Sequence, residues 1–302
     1  MWTAIGLGAH TLWGIYPVLA RYLQTVSRLP TLSLITFGNS VVLLLLLATT
    51  LRRVDRRVFL QPILWLFAGV VVCRAISNLF AARFTLAIYV QLITLMTPFL
   101  VTLLSATILR DEIPPYTGRA LVLSLIGAAM MIGGGLWSSG SQRPLTVWDA
   151  IGLALALGSS FFLALYMVLV RRTTRHAIPG EAVLGTQIVA LVLVSGLLSL
   201  AFGEDWGRYL EISARDWAVF GLFTFGVLLG ANIMQISALR HLSAPLMGSL
   251  LPWRLVSALV FGMVLLGEKL TSPLQVAGAI IVLVTITWYL RRQAKAPMSS
   301  SA

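Results

Sequence analysis

Apolar residues in this chain run in long blocks, and charges and turn residues collect between the blocks instead of alternating with them. A helix of ~20 apolar residues crosses a hydrocarbon core of ~30 Å. The pattern therefore predicts membrane-spanning helices over residues 2–23, 31–51, 62–82, 86–108, 117–137, 148–170, 182–202, 217–239, 243–266 and 273–290. Trp2 opens a full-length block with no basic leader and no small-residue cleavage pattern, so it is read as part of a first helix. Residues 291–302 are expected to form a disordered cytoplasmic tail.

One stretch occurs twice. Arg83-Phe84-Thr85, running through Pro98 to Arg110-Asp111-Glu112, returns as Arg240-His241-Leu242, running through Pro252-Trp253-Arg254 to Gly267-Glu268-Lys269. A shift of 157 superposes Gly69 on Gly226, Asn78 on Gln235, Arg83 on Arg240 and Ala87 on Ala244; a shift of 156 superposes Glu112 on Glu268. In the first and sixth blocks a shift of 150 places Tyr16 on Tyr166 and Arg21 on Arg171. Five blocks precede the junction near Ser138-Ser139-Gly140-Ser141 and five follow it. Because five is odd, the second copy enters the membrane from the opposite side. The expected fold is an all-α membrane protein of ten transmembrane helices in two inverted five-helix repeats, 1–140 and 147–290, with a site near midplane between them.

Composition sets the solvent. With 58% hydrophobic and 11% charged residues, the chain has too little polar surface to face water on all sides. The net charge of +12 does not point to nucleic acid, because the bases sit at block ends and not in a soluble basic face. With a cytoplasmic N-terminus, 13 Lys and Arg fall on the inside and 7 on the outside, which predicts both termini in the cytoplasm of the inner (plasma) membrane. The acidic stretch from Gly203 to Asp216 then lies outside. Cys73 is the single cysteine and lies within a block, so no intrachain disulfide can form.

Trp13-Gly14 in the first block, the Arg83 to Glu112 stretch with Pro98, and Gly267-Glu268 before the last block together resemble the drug/metabolite transporter superfamily, EamA type. The resemblance covers residues 1 to 290. It implies a basket of ten helices whose cavity is lined by helices 1, 3, 4, 6, 8 and 9 and supported by helices 5 and 10. There is one departure: the 156 shift brings Arg254 opposite Pro98, with Pro252 two residues earlier.

Polar residues inside the blocks are the candidate chemistry. Arg74 and Arg254 fall near the centres of helices 3 and 9, and a guanidinium at midplane costs at least ~2.5 kcal/mol without being able to shed its charge. No Asp or Glu lies in the interior of any predicted span. Two unmatched cations suit an anion, since the guanidinium fork fits carboxylate or phosphate; the competing reading is that they bind backbone carbonyls near Pro62, Pro98 or Pro252. Asn78 shares the Arg74 face, Gln91 and Thr94 share a face of helix 4, and Asn232 and Gln235 share one of helix 8. Each is a candidate ligand contact, with interhelical packing as the alternative. Trp13, Tyr16, Tyr166 and Trp253 are candidate walls with polar handles. Pro98 and Pro252 are candidate hinges. His10 is a candidate proton carrier or a satisfied structural histidine. Asn39 and Gln187 are read as packing, and Glu112 and Glu268 as solvated helix-end partners of Arg110 and Lys269. Glycines 127, 133, 134, 135 and 278 should let helices 5 and 10 approach closely.

Catalytic patterns are missing from the sequence: no Gly-x-Ser-x-Gly, no His-Glu-x-x-His, no Cys/His cluster and no paired carboxylates within the spans. No cofactor, metal or obligate protein partner is expected. The expected partners are a small-molecule substrate and the lipid bilayer. The resulting expectation is a secondary transporter, an exporter, moving a small polar metabolite with a carboxylate, such as an amino acid or related organic anion, by alternating access. Phosphorylated metabolites or drugs are the alternative cargo, and an intramembrane enzyme or a channel the alternative classes.

Overall fold

The computed structural model describes residues 2–49, 55–104, 106–107, 116–137, 146–173, 178–241, 253–268, 270 and 272–295. Every regular element among them is helical: α1 Trp2–Thr25, α2 Thr31–Thr49, α3 Pro62–Phe84, α4 Ala87–Thr94, α5 Thr97–Leu104, α6 Thr117–Trp137, α7 Val147–Thr173 and α8 Gly180–Ala201. There follow α9 Arg208–Glu211, α10 Ala214–Gly221, a π-helical stretch Leu222–Ala231, α11 Asn232–His241, α12 Trp253–Phe261, a second π stretch Gly262–Leu266, and α13 Pro273–Lys295. A chain this apolar must satisfy its backbone groups internally, and a helix does so within each segment. Prolines mark the starts: Pro62 and Pro273 open α3 and α13, and Pro179 precedes α8, positions where a missing N–H leaves no bond unmade.

Among the described residues, six helices are long and apolar enough to cross a membrane: Thr31–Thr49, Pro62–Phe84, Ala87–Leu104, Val147–Met167, Gly180–Ala201 and Ala214–Gln235. Thr117–Met131, Trp253–Leu266 and Pro273–Tyr289 are shorter apolar helices.

Three expected blocks depart from straight helices. The fourth is broken at Leu95-Met96, so Pro98 sits in the first turn of α5 instead of bending a continuous helix. Pro98 has no N–H to give the Thr94 carbonyl four residues back, and that carbonyl accepts instead from the Thr97 hydroxyl at 2.6 Å. The eighth and ninth blocks each contain a π stretch, where one extra residue per turn rotates the side chains beyond it. The ninth ends on Gly267, whose φ of +67° reverses the chain so that Glu268 faces back into the bundle. The last helix runs to Lys295, so residues 291–295 are helical and not part of a disordered tail. Pro252, Glu112, Arg110 and Lys269 lie outside the described residues.

The two halves of the chain pack into each other. α3 lies along α7, α6 along α13, α2 along α8, and α1 along α11 and α12. α3 also packs on α8, the π stretch of the eighth block packs on α2, and α4 and α5 pack on α7. Exchanging corresponding helices of the two halves turns each of these pairings into another in the set, or into itself.

Glycine sets the closest approach. A Cβ at Gly278 of α13 would press into the Gly127 carbonyl of α6 and stand 2.7 Å from the Met131 nitrogen, and one at Gly127 would stand 2.9 Å from the Gly278 carbonyl. Gly134 is similarly tight against Gln275, whereas Gly133 meets nothing. The obstruction at Gly278 is backbone, which cannot swing aside. Gly278→Ala is therefore expected to force α6 and α13 apart at a cost of about 1–3 kcal/mol. Thermal unfolding of the purified variant in detergent checks this, and an unchanged midpoint would show that the pair tolerates separation.

Candidate functional site

The central feature is an indole with two guanidiniums against its ring. Trp13 projects from α1, and the Arg74 guanidinium of α3 sits 5.4 Å from its ring centre. Arg254 of α12 sits 5.8 Å from the same ring. Gly14 makes this possible: a side chain there would stand 2.5 Å from the Arg254 carbonyl oxygen and 2.8 Å from Ser257 Cβ, so only glycine lets α1 lie against α12 at this level. Arg254 is 5% exposed, and its Nε donates to His10 Nδ1 at 2.8 Å. His10 thus faces Arg254, accepting one of its protons.

Tyr16 and Tyr166 lie within electrostatic reach of Arg74. Tyr16 stacks on Phe223 with ring centres 5.5 Å apart, and Tyr166 packs against Phe67 at 4.4 Å. Ser159 of α7 donates to the Arg74 carbonyl at 3.0 Å, fixing α3 to α7 at the same level. Among the described residues no carboxylate forms an ion pair with Arg74 or Arg254. Three expected contact residues carry buried polar atoms without a hydrogen-bond partner: Trp13 Nε1, Asn78 Oδ1 and Gln91 Nε2. An unmet buried donor or acceptor costs about 1–3 kcal/mol, which a ligand that meets it can recover.

The remaining expected residues are placed differently. Thr94 is buried and donates to the Val90 carbonyl within its own helix, and Asn232 donates to the Leu228 carbonyl. Gln235 is half-buried on α11, which packs against α1. Trp253 is 41% exposed and donates to Thr11. Asn39 bonds back to its own helix, as a packing residue should.

A second polar network was not legible as such. Glu268 is not a solvated helix-end carboxylate: it is 6% exposed and pairs with Arg21 Nε at 3.1 Å. The same carboxylate accepts from the N–H groups of Ala87 and Ile88 at 3.1 and 3.3 Å, closing the N-terminus of α4. Arg21 also donates to the carbonyls of Ala82 and Thr85 at the end of α3. Thr85 in turn donates to Asp149 of α7 at 3.0 Å. Arg21 had a visible signal in its flanks, Val-Leu-Ala before it and Tyr-Leu after it, which place a charge within apolar sequence.

Helix geometry relates the two networks. Arg21 and Trp13 are eight residues apart on α1, as are Ala82 and Arg74 on α3 and Ala87 and Leu95 on the fourth block. At 1.5 Å per residue each separation is about 12 Å along its helix. The paired guanidiniums and the α4–α5 break therefore share a level about 12 Å below Glu268, with Asn78 and Gln91 about halfway between.

The apolar helices, the lack of a water-compatible surface and the polar cluster buried among helices of both halves define a multi-pass membrane protein. The EamA-like transporter family model matches residues 1–133 and 150–291, and the chain belongs to that family, whose members are membrane transporters of the drug/metabolite type and not enzymes. No curated protein matches the sequence. One solved crystal structure of a protein superposes over 97% of this chain and 98% of its own with a TM-score of 0.64 at 19% identity, a likeness of fold.

Removing Glu268 leaves Arg21 buried without its counter-charge and two backbone N–H groups unmet. Glu268→Ala should destabilise the protein by about 3–5 kcal/mol, and Glu268→Gln, which keeps an acceptor oxygen, by less. Unfolding midpoints of both variants in detergent test the order; equal, small losses would mean that the pair carries little of the fold.

Proposed function

We propose that this protein is a ten-helix secondary transporter of the inner (plasma) membrane that exports a small polar metabolite bearing a carboxylate, an amino acid or related organic anion, by alternating access. The observation that carries this reading is the pair of guanidiniums on Trp13, contributed by helices of the two different halves. A carboxylate bridging Arg74 and Arg254 would link the halves, so that binding and rearrangement of the halves are coupled. The exchange-symmetric packing of the helices supports the two inverted repeats, 1–140 and 147–290. The proposed substrate site comprises Trp13, Tyr16, Arg74, Asn78, Gln91, Tyr166 and Arg254, whereas Thr94, Asn232 and Trp253 give hydrogens to protein partners and, with Gln235, are secondary candidates. The α4–α5 break beside Pro98 supports a hinge there, with Pro252 its counterpart in the sequence of the second repeat. His10, bonded to Arg254, is the group through which a proton is exchanged as substrate binds.

Arg254→Gln should raise the half-saturation for the transported anion by the equivalent of about 2 kcal/mol or more, and Arg254→Lys by less, because lysine keeps the charge and loses the planar fork. Flux into proteoliposomes measures this, with Arg74 variants in parallel. Unchanged half-saturation in both glutamine variants would make the arginines structural.

Both termini face the cytoplasm in this reading, from the 13 to 7 distribution of basic residues. The Arg21–Glu268 network then closes the outer end. Reporter fusions after Arg292 and within the Gly203 to Asp216 segment should report opposite compartments; the same compartment from both would refute the topology.

A further inference from the structure

We infer that the Trp13–Arg74–Arg254 site selects a doubly charged anion without an ammonium group, a dicarboxylate or a phosphate monoester, over zwitterions and singly charged anions. The inference rests on the anion-binding role proposed above for the two arginines, and it replaces the amino acid with a cargo that carries no ammonium group. Both guanidinium carbons lie within 5.8 Å of one ring centre, so they are at most about 11 Å apart. A dicarboxylate such as succinate spans that distance with one carboxylate at each guanidinium, and a single phosphate meets both where they lie closer than this bound.

Charge balance decides the class. Among the described residues the nearby carboxylates serve elsewhere: Glu268 is paired with Arg21 about 12 Å away along α1, and Asp149 accepts from Thr85 at that same end. A singly charged ligand leaves one guanidinium unmatched in a low-dielectric interior. A zwitterion matches one and adds a third cation. Its ammonium would find no carboxylate among the described residues, and the cation-attracting surface of Trp13 already carries both arginines. A dianion matches both.

The neutral groups agree with this. Arg254 gives its Nε to His10, which leaves its two terminal nitrogens as the fork for a ligand oxygen. Gln91, 3% exposed, offers an unmet Nε2 donor, and Trp13 an unmet Nε1 donor. Asn78 Oδ1 is the one unmet acceptor of the three, suited to a hydroxyl on the same ligand. Donors and positive charge outnumber acceptors, as an oxygen-rich anion requires.

The test uses the purified full-length chain at constant ionic strength, with succinate, glycerol 3-phosphate, butyrate and leucine as probes of thermal stability, followed by counterflow in proteoliposomes. Succinate or glycerol 3-phosphate should give a half-maximal shift at a concentration about tenfold or more below that of butyrate, with leucine giving none. The better of the two dianions tells whether the two charges sit on separate carboxylates or together on one phosphate. Arg74→Lys should retain the preference for the dianion, and Arg74→Gln should erase it while butyrate still binds through Arg254. Equal potency of butyrate and succinate in the unmodified protein, with both lost in Arg254→Gln, overturns the dianion and leaves the carboxylate reading standing. Stabilisation by leucine in preference to the anions, or no shift from any of the four, overturns both.

Discussion

The ion pair between Arg21 and Glu268 is the constraint on which one end of the molecule depends. Two charges taken out of water gain from each other only when their remaining donors and acceptors are also met. Here they are: Glu268 accepts from two backbone N–H groups at the start of α4, and Arg21 donates to carbonyls at the end of α3. The α3–α4 turn exposes both kinds of orphan group, and a single pair from α1 and the ninth block answers both. A carboxylate at a helix N-terminus is also favoured by the helix dipole. The fit explains why Glu268 stays buried in a chain with so few acidic residues.

The same device recurs. Glu204 accepts from the N–H groups of Leu32 and Ser33 at 2.9 and 2.6 Å, closing the start of α2. Asp216 accepts from Ser27 at 2.7 Å, and Asp149 from Thr85. In each case a carboxylate of the second half of the chain receives a hydrogen from the first half. These contacts lie at the ends of helices, where backbone groups are exposed. The middle of the bundle is left to arginines, aromatics and uncharged polar groups.

Block length and apolar continuity made the helices legible, and the repeat made corresponding positions in the two halves legible. The π stretches were not, since they carry no local residue signal, whereas the break at Leu95-Met96 lies just before Pro98, which cannot give a hydrogen to the Thr94 carbonyl. Pro98 pointed to the turn at which the fourth block breaks. Arg74 and Arg254 stood out singly by their cost in a membrane, but their meeting on Trp13 depends on the α1–α12 approach at Gly14, which spans the whole chain. Glu268 was misread for a similar reason. Its neighbour in sequence is Lys269, whereas its partner in space is Arg21, and only the left-handed turn at Gly267 decides between them.

The Thr97 hydroxyl that bonds the Thr94 carbonyl gives the α4–α5 joint a thermodynamic property. A helix interrupted with its carbonyl unmet would be a loaded spring, favouring whichever shape relieved it. With the carbonyl met by a side chain, turning the joint exchanges one hydroxyl bond for a comparable one to water or a neighbour, a net change of about 1 kcal/mol. That is of the order of thermal energy. Two shapes of the fourth block can then be close to isoenergetic, and the balance between them is left to whatever occupies the arginines at the same level of the bundle.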